Sequence, residues 1–399
     1  MTDVHNTVAR VFRAEWGQVV ATLIRITGDW DLAEECASEA FAAALQRWPS
    51  DGVPRKPGAW LTTTARNRAT DRLRREAVGV AKMREAAVMY DEPEDDFPDE
   101  RLRLMFTCCH PALALDAQVA LTLRTLAGLT TAEIAKAFLV PEATMAKRLT
   151  RAKGKIRNAC IPYRVPPAHL LPERTPGVLA VVYLLFNEGY TAVVRQNLTE
   201  EAVHLGRVLV QLMPDEPEAV GLLALMLMHH ARREARIGTD GAMVTLEEQD
   251  RARWDGTLIT EGVDLLDGAL RRGQAGPYQI QAAIAACHVT AVRPEDTDWP
   301  QIAALYGQLV RHVPSPVVRL NQAVAVGMAY GPAVGLHLVD QLTGLAGYHL
   351  LPATRADLLR RMSRFEEAAA EYRTALEMAT SESDRKYLHR RLTEVSKTG

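Results

Sequence analysis

Residues 130–157 read TTAEIAKAFLVPEATMAKRLTRAKGKIR, and this stretch decides the fold. Thr130 and Glu133 have the spacing of a capping box, in which each side chain accepts a hydrogen bond from the other residue's backbone amide. A first helix should begin there, and the two residues before Pro141 leave room only for a sharp corner. Pro141 suits the first position of a second helix, because a proline loses no hydrogen bond there. The stretch therefore predicts a helix-turn-helix.

The second helix has one apolar face and one basic face at helical spacing. A single carboxylate, Glu142, accompanies six basic residues that would point mostly outward. Such an unbalanced face favours DNA binding, since contacts with phosphates release counterions. The alternative is an ordinary helical hairpin with a solvated charged face. The apolar positions are Met145, Leu149, Ala152 and Ile156, and the basic ones are Lys147, Arg148, Arg151, Lys153, Lys155 and Arg157.

Nearer the start of the chain, an acidic helix precedes a basic and aromatic one. From Asp29 to Trp48 the apolar residues form one stripe and the carboxylates gather on the opposite side, which predicts an amphipathic helix. The next helix, predicted from Gly58 to Glu76, carries the kinds of side chain that hold unpaired bases and phosphates. The alternative for Trp60 is a place in the core. The acidic candidates are Asp31, Glu34, Glu35 and Glu39, and those of the next helix are Trp60, Thr63, Arg66, Asn67, Arg68, Asp71 and Arg72.

The composition is that of a globular chain whose charge is unevenly distributed. The net charge of the 399 residues is only −2, yet the acidic, proline-punctuated segment 79–100 separates two basic parts, and we expect a linker there. Five cysteines are too few for a disulfide framework, and Cys108 and Cys109 lack zinc-like spacing, so we expect buried thiols, no metal and no cofactor. Because no apolar run has the length of a membrane span, the chain is expected in the cytoplasm without a membrane partner.

From Pro166 to Gly399 the sequence is a succession of helical patterns separated by Pro- or Gly-marked corners. The stretch RFEEAAAEYRTALEMA, residues 364–379, matches the second helix of a tetratricopeptide unit, where small alanines let the paired helix approach. Residues 350–362 would form its first helix, and the charged stretch from Glu382 to Val395 suits a terminal cap. An array of this kind has a groove that could bind a protein or peptide partner.

A chemical site is the rival interpretation of this part. Phe186 to Tyr190, with His204, His229 and His230, contains acid-base and metal-ligating side chains. Nothing in their spacing fixes a geometry, and a turn capped by Asn187 explains the first group. The sequence also contains no phosphate-cradling glycine motif. We therefore expect a protein that is not an enzyme.

Three segments carry a resemblance to a known family. They are DWDLAEECASEAFAAALQRW at 29–48, PGAWLTTTARNRATDRLRRE at 57–76 and ALTLRTLAGLTTAEIAKAFLVPEATMAKRLTRAKGKIR at 120–157. In order and spacing they resemble regions 2 and 4 of bacterial extracytoplasmic-function sigma factors of the sigma-70 family. The segments MFTCCHPAL, IPYRVP and LFNEGY look like one subgroup that has a long tetratricopeptide-like C-terminal extension.

The resemblance implies an all-α chain that binds core RNA polymerase and directs promoter-specific transcription initiation. Its parts would be region 2 at 1–78, the acidic linker at 79–100, region 4 at 101–162 and a helical-repeat regulatory extension at 163–399. The polymerase contacts would be the β′ clamp and the β flap. The alternative is a conventional helix-turn-helix regulator with a helical sensor domain, which would have no use for an acidic docking helix beside a base-holding one.

The resemblance also assigns roles to the candidate residues. The four carboxylates named above would face polymerase. The aromatic and basic helix, with the loop from Pro49 to Pro57, would melt and read the minus-10 element of promoter DNA. Region 4 would read the minus-35 element in the major groove. Its DNA-binding residues would be Glu142, Thr144, Lys147, Arg148, Arg151, Lys153 and Lys155.

Overall fold

The computed structural model describes residues 2–75, 100–138, 140–191, 196–273 and 275–398. Within these ranges every regular element is a helix, apart from one isolated antiparallel bridge between Ile237 and Met243. The predicted all-α class is confirmed. Most of the predicted linker, residues 79–99, lies outside the described residues.

The chain divides into two compact units, Met1–Leu212 and Met213–Gly399. The first unit therefore continues beyond residue 162, where we placed the start of the extension. Its helices are α1 (Thr2–Thr27), α2 (Trp30–Asp51), α3 (Pro57–Arg75), α4 (Glu100–Cys108), α5 (Leu115–Thr125), α6 (Thr131–Ala137), α7 (Glu142–Asn158), α8 (Leu171–Thr191) and α9 (Gln196–Leu212), with a 3₁₀ turn at Ala168–Leu170.

Helices α1, α2 and α3 pack together through the apolar stripe predicted for α2. The Asp29 side chain caps α2 by accepting from the amides of Asp31 and Leu32 at 2.9 and 3.0 Å. The helix continues through Pro49 to Asp51, so the loop predicted to start at Pro49 starts at Gly52. Gly52 ends the helix because its left-handed backbone, φ 81°, lets its amide reach the Trp48 carbonyl at 3.1 Å.

The turn predicted near Asn187 is wrong, because the structure has a helix, α8, at this position. Residues 186–190 continue the helix, and Phe186 is buried. The apolar run before it explains the difference, because Val178, Val182 and Leu185 keep the helical periodicity and lie in the core. At the start of α8, Arg174 Nη2 donates to the Phe106 carbonyl of α4 at 2.8 Å, which ties this helix to region 4.

The second unit is a succession of helices whose neighbours in sequence pack together. Residues 350–361 and 365–378 form a pair, as the tetratricopeptide pattern predicts, and residues 316–330 and 332–340 form two helices that meet at Gly331. The helices are α10 (Pro217–His230), α11 (Gly256–Leu270), α12 (Pro277–Val289), α13 (Trp299–His312), α14 (Pro316–Tyr330), α15 (Pro332–Asp340), α16 (Leu350–Arg361), α17 (Phe365–Met378) and α18 (Glu382–Thr398), with 3₁₀ turns at Arg233–Ala235, Arg251–Arg253 and Pro294–Asp296.

The pair α16 and α17 shows why alanines recur in this pattern. Ala368 and Ala375 of α17 are fully buried, as is Ala356 of α16, and Tyr372 fills the remaining space between the helices. Small side chains allow the two backbones to approach, and the ring supplies the buried apolar area. The alanine positions were predicted correctly because they depend only on local periodicity.

Candidate functional site

The capping box at the start of the helix-turn-helix is present. Thr130 Oγ1 accepts from the Glu133 amide at 3.2 Å, and Glu133 Oε2 accepts from the Thr130 amide at 2.7 Å. Helix α6 follows, and α7 begins one residue later than predicted, because Pro141 has an extended backbone and is the N-cap residue. The two helices pack through the predicted apolar positions, and Ile134 and Met145 are fully buried.

Helix α7 presents a basic surface, but only part of the predicted outward face is exposed. Glu142, Thr144, Lys147 and Arg151 are exposed, as are Lys155 and Arg157. Arg148 is half-buried: it lies over the Phe138 ring at 5.4 Å and pairs with Asp116 of α5 at 3.5 Å. The prediction that these side chains point outward is thus confirmed for Lys147, Arg151, Lys155 and Arg157, whereas Arg148 points only partly to solvent.

Lys153 does not point to solvent, and this corrects the predicted outward face. Its side chain is only 12% exposed and its Nζ lies 2.8 Å from Asp31 Oδ1 and 2.7 Å from Glu34 Oε1, both on α2. Glu34 is also held by Arg124 of α5, whose Nε lies 2.7 Å from Oε2. The structure therefore brings together a predicted DNA-binding residue and two predicted polymerase-binding residues.

The other two carboxylates of α2 pair with arginines of α3. Arg68 Nη1 lies 2.7 Å from Glu39 Oε2, and Arg72 bridges Glu35 and Glu39. These cations hold the pKa of Glu39 below its usual range, first through the hydrogen bond from Arg68 and then through the charge of Arg72. The acidic face remains reachable at two positions, because the side chains of Asp31 and Glu35 are 85% and 59% exposed.

Helix α3 carries a polar face that is open to solvent. Thr63, Arg66, Asn67 and Asp71 are exposed, while Arg68 and Arg72 turn toward α2. Trp60 is half-buried against Trp48, with ring centroids 5.6 Å apart in an edge-to-face arrangement. Its ring is therefore partly core and partly accessible at the end of the helix nearest the loop 52–56.

Sequence reasoning missed several residues that join region 2 to region 4. Arg124 is one, and Trp16 is another, since its Nε1 donates to the Arg124 carbonyl at 3.3 Å. Tyr163 is buried and donates its hydroxyl to the Ala21 carbonyl at 2.9 Å, although 142 residues separate the two. No local pattern marks these contacts, because each partner lies far away in the sequence.

In the second unit, residues 236–251, here called the strap, cross the face formed by α12, α14, α16 and α18. Glu247 pairs with Arg361 at 2.8 Å, and Glu248 pairs with Arg390 and Arg391 at 2.8 and 2.7 Å. Arg251 Nη1 donates to the His288 carbonyl at 2.8 Å. Between the strap and these helices lies a cavity of about 190 Å³. The strap therefore covers part of the surface that these four helices form.

The cysteine and histidine clusters have structural explanations. Cys108 and Cys109 are buried, and burial raises the pKa of both thiols, that of Cys109 to about 12. Burial, followed by the charge of Arg232, holds the pKa of His229 well below its usual range, which is a poor setting for acid-base work at neutral pH. Among the described residues, no group of three or more His, Cys, Asp or Glu side chains is placed to hold a metal ion.

None of the described helices combines the length and the apolar character needed to cross a bilayer.

Three family models match the chain. Sigma-70 region 2 matches residues 11–78, and the sigma-70 region 4 model matches residues 103–156. A family of unknown function, DUF6596, matches residues 174–270, which run from α8 to the end of α11. An uncharacterized protein of Rhizobium meliloti (strain 1021) is 42% identical over 395 residues, covering 95% of this chain and 93% of that protein. No solved structure matches.

Proposed function

The chain belongs to the sigma-70 family as an extracytoplasmic-function sigma factor with a C-terminal extension, and from this premise we propose which of its parts bind polymerase, bind promoter DNA and regulate initiation. Helix α2 docks on core RNA polymerase, α3 with the loop 52–56 holds the opened minus-10 element, and α7 reads the minus-35 element. The second unit, with α8 and α9, modulates this activity. The observation that carries the proposal is that both sigma regions occur in one chain, each with an exposed polar helix face.

The proposed DNA contacts rest on the exposed side chains of α7 and α3. Thr144, Lys147 and Arg151 lie on the exposed face of the second helix of a helix-turn-helix, where major-groove contacts are made. On α3, the exposed Arg66 and Asn67 supply a cation for phosphates and an amide for base edges. Recognition and strand opening in this scheme use binding energy alone, with no nucleotide hydrolysis.

The proposed docking on polymerase rests on the carboxylates of α2. Asp31 and Glu35 are the most accessible of the four, and their charge would steer a basic partner surface toward the helix. Replacing Glu35 by Lys should weaken association with core polymerase. The matched control is Asp51→Lys, because Asp51 is an exposed carboxylate at the other end of α2, outside the four assigned to polymerase, and its replacement changes the charge equally. An equal loss in both variants would contradict specific docking by Glu35.

The proposed regulatory role of the second unit rests on its repeat-like architecture and on the strap. Arrays of paired helices use one face to bind proteins or peptides. Here a partner for that face has to displace the strap, whose Glu247 and Glu248 carboxylates are held by three arginines. A partner peptide with neighbouring carboxylates would satisfy the same arginines.

The test is run-off transcription with bacterial core polymerase on promoters selected from a random library. The full chain should initiate from a defined subset of promoters. Ending the chain after Leu212, where the first compact unit ends, separates the outcomes for the second unit: higher initiation indicates inhibition, and lower initiation indicates activation. Duplex binding without any initiation would instead indicate a conventional regulator and refute the proposal.

A further inference from the structure

The cavity between the strap and the helices of the second unit has the size of a small metabolite. Its volume is about 190 Å³. One water molecule takes up about 30 Å³ of the liquid, so the space corresponds to about six waters. Pockets for drug-sized ligands are larger than this. The cavity therefore suits a compound of about ten non-hydrogen atoms.

Part of the cavity wall is apolar. Leu246 of the strap, Trp299 of α13, and Val324 and Met328 of α14 line it. These four side chains are only partly buried, so they keep apolar surface that an occupant can cover. The Trp299 ring is held edge-to-face against the His288 ring, with centroids 5.2 Å apart. An occupant with an apolar body would thus remove apolar area from water on both molecules.

The polar part of the wall includes a cation that has no carboxylate partner. Arg251 is the last residue of the strap, and its Nη1 donates to the carbonyls of His288 and Ala291 at 2.8 and 2.6 Å. These bonds orient the guanidinium at the C-terminal end of α12. Its Nε is buried and meets no acceptor within the described ranges, where no carboxylate pairs with Arg251 either. The guanidinium therefore keeps a donor and a charge for an anion.

The other two arginines of the wall are already neutralised. Arg361 lies 2.8 Å from a carboxylate oxygen of Glu247 and 2.7 Å from one of Asp357. Arg391 is paired with two more carboxylates, those of Glu248 and Glu394, at 2.7 and 2.8 Å. An anion in the cavity would therefore be drawn to Arg251 rather than to these two.

The surroundings of Arg251 strengthen its attraction for an anion. Arg251 and Arg232 both lie against the buried Trp254 ring, with guanidinium carbons 4.6 and 6.0 Å from its centroid. Burial, and after it the charge of Arg232, lower the pKa of Arg251, which shows that the two cations disfavour each other. Burial also lowers the pKa of His288 to about 4, so this ring is neutral at pH 7 and can donate one hydrogen bond.

We propose that this cavity binds a small carboxylate with an apolar body. The Arg251 guanidinium and the His288 ring hold the carboxylate, and the body packs on Trp299, Val324 and Met328. The apolar wall disfavours an inorganic anion, and the unneutralised cation disfavours an uncharged ligand. The inference goes beyond the proposed function, since binding needs neither polymerase nor DNA. Because Leu246 and Arg251 belong to the strap, the ligand would also link the strap to α13 and α14.

The test is a titration of the full chain with four probes, followed by calorimetry and ligand-detected NMR. Phenylacetate and hexanoate join a carboxylate to an aromatic and to an aliphatic body. Phenylacetamide is the neutral analogue, and inorganic phosphate is an anion without an apolar body. At least one carboxylate should bind with a Kd of about 1 mM or tighter, as the affinity per atom of small ligands allows. Phenylacetamide and phosphate should bind about tenfold more weakly or worse.

Two site variants, each with a matched control, locate the binding. Arg251→Gln removes the charge, and Arg253→Gln removes an exposed charge from the same 3₁₀ turn. Val324→Phe fills the cavity and leaves every contact of Arg251 in place, whereas Val334→Phe makes the same change at an exposed position of α15. Both site variants should lose at least about tenfold in affinity, and both controls should bind as the unmodified chain does.

Four results would overturn the site. They are no binding by either carboxylate, equal binding by phosphate, equal binding by phenylacetamide, and unchanged affinity in either site variant whose circular dichroism shows an intact fold. Because no polymerase is present in this assay, a failure of run-off transcription would leave its result standing. Loss of the carboxylate site would likewise leave the sigma activity untouched.

Discussion

Replacing Gly17 by Ala should open the junction between regions 2 and 4 while stabilising the helix that carries it. Gly17 is in the interior of α1, where alanine is favoured over glycine by about 1 kcal/mol. In the packed form, however, the new Cβ would meet the Leu126 carbonyl oxygen at 2.9 Å and the Leu126 Cα at 3.5 Å. Backbone atoms cannot rotate away from a clash as the end of a flexible side chain can, so α1 and the end of α5 must separate.

The size of the effect follows from the cost of overpacking. One extra methyl group in a tightly packed interior costs about 1 to 3 kcal/mol. A cost of about 2 kcal/mol applies only to the form in which regions 2 and 4 are packed together and would shift the ratio of packed to separated forms about thirtyfold. The helix gain of about 1 kcal/mol applies to both forms and leaves this ratio unchanged.

Gly154→Ala is the matched control, because Gly154 lies inside α7 and an added Cβ there would have no atom within 4 Å. Gly154→Ala should show the helix gain in urea unfolding, whereas in Gly17→Ala the clash of about 2 kcal/mol should outweigh that gain, so Gly17→Ala should be the less stable of the two. Only Gly17→Ala should lower energy transfer between fluorescent labels attached to the exposed Cys160 and to a cysteine introduced by Val53→Cys. Equal transfer in Gly17→Ala and Gly154→Ala, with Gly17→Ala still as stable as the control, would refute the close approach of α1 and Leu126.

Three further predictions concern side chains of the first unit. The double variant Arg148→Ala/Arg151→Ala should lose binding to duplex promoter DNA by at least tenfold in a gel-shift titration and keep its affinity for core polymerase, so lost polymerase binding would contradict the division of roles. Glu39→Gln should lower stability by up to about 1 kcal/mol at pH 7, since the ion pairs are partly exposed. Because the folded-state pKa of Glu39 is lowered, that difference should vanish as the pH falls through this value, and a pH-independent difference in denaturation would argue against the ion pairs. At pH 7.5 a maleimide should modify the exposed Cys160 and spare Cys109, whose pKa is raised to about 12, as mass spectrometry of the labelled peptides can show.

The features that the sequence predicted well are local. The capping box at Thr130 and the buried face of α7 depend on residues three or four positions apart, and a single helix is enough to define them. The pairing of α16 with α17 follows from the alanine pattern in the same way. The errors at Pro49 and Pro141 concern helix ends, where the backbone of one neighbouring residue, such as Gly52, decides the boundary.

What the sequence did not reveal depends on distant partners. Lys153 reads as an outward-facing residue of α7, and only the fold shows that Asp31, 122 residues away, pairs with it. The strap is a similar case, because nothing near Glu248 in the sequence identifies Arg390 and Arg391 as its partners. In both cases the charge pattern was visible, but it could not indicate whether solvent, another part of the chain or a partner neutralises the charge.

This ambiguity arises because an internal partner and an external partner can use the same carboxylates of α2. A helix rich in carboxylates that attracts a basic polymerase surface also attracts the basic helix of its own chain, since both use the same charge complementarity. The internal partner is tethered and therefore present at a high effective concentration, so polymerase must offer more favourable contacts to replace it.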